Sequence, residues 1–215
     1  MVYVMTDHPG MVNEYLSELR DVNVQGDRLR FRRNLERVGA IMAYEISKTL
    51  AYEQVEVETP FGVAATQKLV AQPVIATILR AGIPMQHGFL SVFDRADSAF
   101  IAAYRKVKKS GQFELHREYM STPSLDGKVL IVADPMLGTG RSMVLACKEL
   151  QDTYQVAALH IATLIASEEG IAHVRAFLPK AHIWVGAIDS ELTSKAYIVP
   201  GLGDAGDLAY GSKGE

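Results

Sequence analysis

The sequence predicts an α/β fold in which a central parallel sheet is flanked by helices. Five apolar runs are continuous rather than alternating, as expected for strands that are covered on both faces. Helical stretches separate these runs, and strands that alternate with helices form a parallel sheet through right-handed crossovers. The five runs are PVIATIL (73–79), SAFIAAY (98–104), KVLIVAD (128–134), VAALHIATLIA (156–166) and HIWVGAI (182–188).

The first 70 residues predict a helix followed by a hairpin. Residues 27–52 form the predicted amphipathic helix, because apolar side chains recur there at intervals of three and four. EQVEVETP (53–60) alternates polar and apolar residues like a half-exposed strand, and FGVAATQKL (61–69) can return as its partner. The apolar side chains of the helix are Leu35, Val38, Ile41, Met42, Ile46 and Leu50.

Three further helices are predicted between the strands, over residues 82–93, 139–153 and 168–177. The segment 106–126 has no clear periodicity and begins with several lysines, so it is predicted to be a long loop. No internal repeat interrupts this order, and we expect residues 1–215 to form a single domain.

The composition excludes several classes of protein. The chain has 215 residues, of which 48% are hydrophobic and 22% charged, as in ordinary globular enzymes. Its net charge of -3 argues against a nucleic-acid partner, which would need an excess of cations. The single cysteine, Cys147, precludes an internal disulfide and favours a reducing compartment. The longest apolar stretch, 156–166, is about half a membrane span, so we expect a cytoplasmic protein without a membrane partner.

The carboxyl ends of the predicted strands mark the expected site, because ligands of open α/β sheets bind there. Arg80, Arg105 and Asp189 directly follow three of the five runs, and Asp134 is the last residue of a fourth. After Asp134 the sequence DPMLGTGRS (134–142) carries glycines that let amide groups turn toward an anion, and a new helix adds its dipole. This pattern predicts a phosphate-binding loop, beside which Asp134 would accept hydrogen bonds from sugar hydroxyls.

Other motifs can be set aside. The lysine of a P-loop is missing after Gly140. Gly201, Gly203 and Gly206 have the spacing G-x-G-x-x-G, but too few residues follow to supply the helix and strand of a dinucleotide-binding unit. The six histidines are scattered and suggest no metal site, and no G-x-S-x-G motif supports acyl transfer.

Several segments together resemble the uracil branch of the type I phosphoribosyltransferases. DPMLGTGRS resembles the family segment D-P-M-L-A-T-G-G-S, and ILRAG (78–82) and YR (104–105) resemble two further segments. YIVPGLGDAGD (197–207) is similar to the base-binding segment of the uracil phosphoribosyltransferases. The matches run from residue 78 to residue 211 in the family's order. The resemblance implies a parallel-sheet core over about 73–190 and a hood built from N-terminal elements and residues 191–215.

The resemblance also implies an activity and a set of residues. The reaction would transfer ribose 5-phosphate from 5-phosphoribosyl 1-pyrophosphate to N1 of uracil, with Arg80, Arg105, Asp134 and Asp204 as the catalytic groups. Uracil would contact Ile198, Gly203, Asp204 and Ala205. The donor would contact Arg80, Arg105, Asp134, Pro135, Met136, Leu137, Gly138, Thr139, Gly140, Arg141, Ser142 and Asp204.

Further expectations concern cofactor, assembly and alternatives. Mg²⁺ is expected to bind mainly through pyrophosphate, ribose hydroxyls and water, so no cluster of protein ligands is needed. The family resemblance implies a homodimer or a higher homo-oligomer. Arg141 stands where the family usually has a second glycine. Two alternatives stay open: a regulator that senses pyrimidine nucleotides and binds RNA on the same fold, and a phosphoribosyltransferase for another base.

Overall fold

The computed structural model describes residues 1–107 and 113–212, and for residues 103–107 and 113–118 it describes the backbone alone. The helices in these ranges are α1 (Met11–Arg20), α2 (Arg28–Ser47), α3 (Ile83–Val92), α4 (Arg141–Thr153), α5 (Glu168–Phe177) and α6 (Ala205–Tyr210). The strands are β1 (Val2–Val4), β2 (Tyr52–Thr59), β3 (Gly62–Leu69), β4 (Val74–Ile78), β5 (Asp97–Val107), β6 (Phe113–Ser121), β7 (Val129–Ala133), β8 (Met136–Leu137), β9 (Ala158–Ser167), β10 (His182–Asp189), β11 (Glu191–Leu192) and β12 (Ile198–Val199).

The central sheet contains eight of these strands in the order β1-β10-β9-β7-β4-β5-β6, with β8 paired to β9. Neighbouring strands are parallel except for β5 and β6, which are antiparallel. The α/β fold predicted from the continuous apolar runs is therefore confirmed. Each of the five runs contributes one strand to this sheet.

Two apolar cores cover the two faces of the sheet. Ile75, Ile131 and Trp184 belong to the core that includes α1, α2 and α3. Val74 and Val132, their alternating neighbours, belong to the core that includes α4 and α5. Successive side chains of a strand point to opposite faces, so a strand between two cores is apolar at every position. This double covering explains why the runs in the sequence do not alternate.

The predicted hairpin of β2 and β3 is confirmed, and its strands pair from Tyr52 opposite Leu69 to Thr59 opposite Gly62. It forms a separate two-stranded sheet with most of its residues exposed on both faces. Phe61 at its tip is fully exposed, and Val63 is 64% exposed. An isolated two-stranded hairpin is only marginally stable in water. Exposed apolar residues on such a hairpin are typical of a surface that contacts another molecule.

The prediction of a long loop over residues 106–126 is wrong for most of that segment. β5 continues to Val107, and β6 returns beside it as an antiparallel edge strand. Arg105 consequently lies within β5, opposite Leu115, and not beyond the end of the strand as predicted. Residues 108–112 lie outside the described part of the chain. Backbone hydrogen bonds hold an edge hairpin without strict apolar alternation, so charged residues along it weaken the signal in the sequence.

Shorter elements at the two ends of the chain had no clear signal in the sequence. β1 adds an edge strand beside β10, and α1 packs on α2 and on β10. The helix predicted over 27–52 ends at Ser47, after which the chain turns into β2. Asp27 caps it, as its side chain accepts hydrogen bonds from the amides of Leu29 and Arg30.

In the described ranges, no helix has both the length and the apolar character that a bilayer crossing requires.

Candidate functional site

A cavity of about 570 Å³ opens at the carboxyl edge of the parallel strands. One wall comes from the chain that follows β4 and β7, and the other comes from the terminal segment, which we define as residues 195–206. The first wall contains Ile78, Leu79, Arg80, Ala81, Asp134, Met136, Gly138 and Ser142. The second contains Lys195, Ala196, Tyr197, Ile198, Gly203, Asp204, Ala205 and Gly206.

A smaller cavity of about 130 Å³ lies at the phosphate-binding loop predicted over residues 134–142. Thr139, Gly140 and Ser142 line it, and α4 begins directly after Gly140. Gly140 has a φ of 72°, which favours glycine, and it offers no side chain to cap the helix. The first amide groups of α4 therefore remain available to an anion at this loop.

The phosphate-binding loop is braced from behind by the start of α5. Ser167 Oγ donates a hydrogen bond of 2.7 Å to the carbonyl of Gly138 and accepts one of 2.8 Å from the amide of Gly170. A Cβ on Gly170 would lie only 2.1 Å from the Gly138 oxygen, so the two backbones approach as closely as glycine permits. This contact fixes the shape of the loop from which the amide groups point.

Asp134 lines both cavities at the end of β7. Desolvation of its carboxyl group raises the pKa of Asp134 to about 7, and a hydrogen bond from the amide of Met136 only partly opposes this increase. A carboxylate held in this position gains from a ligand that brings hydroxyl donors or positive charge. The prediction that Asp134 lies beside the phosphate-binding loop agrees with this placement.

Arg80 reaches from the chain after β4 to the C-terminal helix α6. Its Nη2 donates a hydrogen bond of 3.0 Å to Asp207 Oδ1 and a longer one of 3.3 Å to the carbonyl of Gly211. Its Nε is buried and has no hydrogen-bond partner in the described ranges. Arg80 thus has an unpaired donor while it forms part of the cavity wall.

Half of the residues that the terminal segment contributes to the cavity wall are glycine or alanine. Gly203 has a φ of 94° and lines the cavity beside Asp204 and Ala205. Asp204 caps α6, because its Oδ1 accepts a hydrogen bond of 3.0 Å from the amide of Asp207. Ile198 is buried at the base of this wall. Residues as small as glycine and alanine allow a ligand in the cavity to approach the backbone closely.

The structure brings most of the predicted site residues together. Arg80, Asp134, Met136, Gly138, Ser142, Ile198, Gly203, Asp204 and Ala205 line the larger cavity, and Leu137, Thr139 and Gly140 line the smaller one. Pro135 and Arg141 are in the wall of neither. The carbonyl of Pro135 accepts hydrogen bonds from the amides of Leu164 and Ile165, and Arg141 is exposed at the start of α4. The side chain of Arg105 lies outside the described residues.

Some residues of the cavity wall were missed from the sequence. Lys195, Ala196 and Tyr197 line the cavity directly before Ile198, and Ala196 has a positive φ of 63°. No chemical motif marks them, but their position next to the predicted uracil contact was a usable signal. Lys195 adds an ammonium group to the wall that the terminal segment contributes.

Comparisons with known proteins agree with this geometry. The family model described as uracil phosphoribosyltransferase matches residues 5–212. A uracil phosphoribosyltransferase of Porphyromonas gingivalis is 48% identical over 214 residues, which are 99% of each chain. One of Thermococcus gammatolerans is 38% identical over 98% of this chain and 93% of its own. The solved structure of the AQ2163 protein from Aquifex aeolicus has a TM-score of 0.87 at 29% identity and covers 98% of both chains.

The matched range includes both walls of the cavity, from the chain after β4 to the terminal segment. The relatives also match over nearly their whole length, so the similarity is not limited to the phosphate-binding loop. The resemblance noted from the sequence is confirmed, and this chain belongs to the uracil phosphoribosyltransferase family.

Proposed function

We propose that this chain transfers the 5-phosphoribosyl group of 5-phosphoribosyl 1-pyrophosphate to N1 of uracil, which yields UMP and pyrophosphate. One observation carries the proposal beyond family membership. The phosphate-binding loop and the terminal segment, which contains several glycine and alanine residues, line a single cavity. An anionic sugar phosphate and a flat, neutral base would therefore find complementary groups within one cavity.

The reaction makes one bond and breaks another at C1′ of the ribose. The bond from C1′ to N1 of uracil forms, the bond from C1′ to the pyrophosphate oxygen breaks, and the N1 proton is released. Negative charge builds on the departing pyrophosphate, and groups that meet this charge lower the barrier more than they favour the bound donor. Holding both reactants in one cavity also removes most of the entropic cost of their encounter.

The phosphate-binding loop would hold the 5-phosphate of the donor. Amide groups at the start of α4 supply hydrogen-bond donors and the positive end of the helix dipole, and the hydroxyls of Thr139 and Ser142 add further donors. Asp134 would accept hydrogen bonds from the ribose hydroxyls. Its carboxylate would repel a phosphate group, so we place it at the sugar.

Arg80 would meet the charge that develops on pyrophosphate. It lies in the cavity wall, and its side chain is 36% exposed although its Nε is buried. Arg105 has the same proposed role, which rests on its match to the family segment YR. Two guanidinium groups would supply a planar, bidentate fit to phosphate oxygens that lysine cannot match.

The base-reading segment, which we define as residues 198–205, would recognise uracil. The hydrogen-bonding edge of uracil presents an acceptor, a donor and an acceptor, and peptide N–H and C=O groups can match this order. Cytosine would place an amino donor against a peptide donor and leave buried groups unpaired, which discriminates strongly. We therefore propose Ile198, Gly203, Asp204 and Ala205 as the uracil contacts, with Asp204 also near the donor.

We propose Mg²⁺ as the cofactor. Asp134, whose carboxyl group is poorly solvated, offers oxygen atoms to a hydrated cation, and Asp204 lines the same cavity. In the described ranges, no group of three or more His, Cys, Asp and Glu residues could hold a metal ion, so most ligands would come from substrate and water. The bound cation would supply charge neutralisation on pyrophosphate.

We also propose a homodimer or a higher homo-oligomer and a cytoplasmic location. The exposed hairpin of β2 and β3, with Phe61 at its tip, is a surface that a second copy of the chain could cover. The single cysteine, Cys147, is buried, which suits a reducing compartment. No nucleic-acid partner is proposed.

The deciding experiment measures turnover by the purified chain with the phosphoribosyl donor, Mg²⁺ and each of uracil, cytosine, orotate, hypoxanthine and xanthine. We expect turnover of uracil and close 5-substituted analogues alone. Comparable turnover of orotate or a purine would support a phosphoribosyltransferase for another base. Tight binding of structured RNA without any turnover would instead support a regulator.

Gly203→Val tests the role of the base-reading segment. The branched side chain would enter the space of the base, so we expect uracil turnover to be lost while calorimetry still detects donor binding. Gly127→Val is the matched control, because Gly127 also has a positive φ but has open space around its Cβ position. Normal uracil turnover by folded Gly203→Val would exclude this segment as the base site.

Arg80→Ala tests transition-state stabilisation at pyrophosphate. We expect kcat/KM to fall roughly 100- to 1000-fold, as for the loss of one preorganised donor. Asp207→Asn is the control, because it removes the same salt bridge but keeps the guanidinium group. Equal losses in the two variants would mean that Arg80 serves only to hold α6.

The raised pKa of Asp134 predicts a link between stability and pH. The folded chain holds this proton up to about pH 7, whereas an unfolded aspartate, with its ordinary pKa of 3.8, has already lost it. The unfolded state therefore binds fewer protons between these values, and the free energy of unfolding falls as the pH rises from about 4 to about 7. Above that range the destabilisation by the charged carboxylate is complete.

Asp134→Asn should remove this destabilisation and weaken the donor complex. Thermal unfolding at pH 8 should show the variant more stable than the parent by about 1 kcal/mol or more, with a smaller difference at pH 5. Calorimetry with Mg²⁺ should show weaker donor binding. Asp152→Asn, which changes an exposed carboxylate on α4, should alter neither quantity. If the stability of Asp134→Asn had the same dependence on pH as that of the parent, the raised pKa would not belong to Asp134.

A further inference from the structure

We propose that Arg20 and Asp189 form a positioning pair that holds the base-reading segment in the geometry required for uracil. This inference rests on the proposed function and extends it to two residues that are in neither cavity wall. They would act through the backbone of Gly201 and would not contact substrate.

The pair joins three parts of the fold at one point. Arg20 is the last residue of α1, and Asp189 is the last residue of β10. Arg20 Nη1 donates to Asp189 Oδ2 and Arg20 Nη2 donates to Asp189 Oδ1, each at 2.8 Å. Such a bidentate contact fixes orientation as well as distance.

Both polar groups of the Gly201 backbone are bound to this pair. The amide of Gly201 donates a hydrogen bond of 2.8 Å to Asp189 Oδ2, and its carbonyl accepts one of 2.9 Å from Arg20 Nη1. The peptide groups on either side of this glycine are thus tied to one carboxylate and one guanidinium. A rotation of the turn would break at least one charge-assisted hydrogen bond.

The electrostatics favour the ionised form of the pair. Burial of Asp189 on its own raises the pKa of its carboxyl group, but the hydrogen bonds from Arg20 and from the Gly201 amide, with the charge of Arg20, outweigh burial and lower the pKa. Asp189 is only 7% exposed. Separation of the two side chains would leave a poorly solvated charge on each, so the ion pair strongly favours its bound geometry.

Gly201 transmits this constraint to the residues that face the cavity. It has a φ of 55°, and a Cβ there would lie 2.1 Å from the carbonyl oxygen of Ile198. Ile198 belongs to β12, which pairs with β11 directly after Asp189. The positioning pair therefore holds the end of the hairpin formed by β11 and β12. It also fixes the direction in which the chain continues toward Gly203. An error of about 1 Å in such a position can lower a rate by about 100-fold.

The pair should affect uracil and the donor unequally. Ser167 lies opposite Asp189 on the neighbouring strand β9, but its hydrogen bonds to Gly138 and Gly170, which brace the phosphate-binding loop, involve neither Arg20 nor Gly201. A variant that loosens Gly201 leaves those contacts in place. Weaker use of uracil without weaker donor binding would distinguish positioning from a general loss of stability.

The experiment compares Asp189→Asn and Arg20→Lys with the parent chain. Asp189→Asn keeps the shape but removes the charge, and Arg20→Lys keeps the charge but cannot form the bidentate contact. Glu18→Gln is the matched control, because Glu18 lies on the same helix and pairs with Arg30 and Asn34, away from Gly201. We expect KM for uracil to rise about 10-fold or more in both test variants, with donor affinity by calorimetry changed less than about twofold, and neither changed in the control.

A second measurement does not depend on activity. Hydrogen–deuterium exchange followed by mass spectrometry should show faster exchange in peptides that contain Gly201 and Leu202 in both test variants and not in Glu18→Gln. If Asp189→Asn does not fold, the milder Arg20→Lys decides the question.

The outcomes separate the two proposals. Equal weakening of uracil and donor, or unchanged exchange at Gly201, would overturn the positioning role. A parent chain that converts no uracil would refute the proposed function, while the exchange data would still show whether the pair holds the turn.

Discussion

Parallel pairing of the central strands is the constraint on which the rest of the structure depends. Because β4, β7, β9 and β10 run in the same direction, their carboxyl ends meet at one edge, and residues far apart in the chain gather there. Parallel strands need long crossovers, and these crossovers supply the helices that cover both faces. The site is thus a consequence of how the sheet is connected.

In the proposed site, backbone groups would make many of the contacts with substrate, and a backbone group recognises a ligand well only if its position is fixed. The chain meets this need twice in similar ways. Ser167 fixes the Gly138 carbonyl behind the phosphate-binding loop, and Asp189 fixes the Gly201 amide behind the base-reading segment. In both places a polar side chain at the end of a strand braces a glycine, because glycine permits close approach but brings no rigidity of its own.

Two charged groups in the cavity wall lie in positions that destabilise the free protein. Burial raises the pKa of Asp134 to about 7, and Arg80 keeps a buried Nε without a partner in the described ranges. Both conditions lower the stability of the free protein. Such strained polar groups are typical of sites that are preorganised for binding. The net charge of the chain, -3, says little about this local arrangement.

The sequence by itself determined the five central strands, the position of the glycine-containing loop over residues 134–142 and the family. Buried parallel strands must be apolar at every position, and the segments DPMLGTGRS and YIVPGLGDAGD carry their chemistry in consecutive residues. The edge strand β6 was not predicted, because pairing of its backbone with β5 requires no regular apolar pattern in the sequence. Only the tertiary structure decided that Arg20 meets Asp189 and that Arg80 meets Asp207, because these partners are 169 and 127 residues apart. A contact of that kind depends on how helices pack against the sheet, and local periodicity contains no information about it.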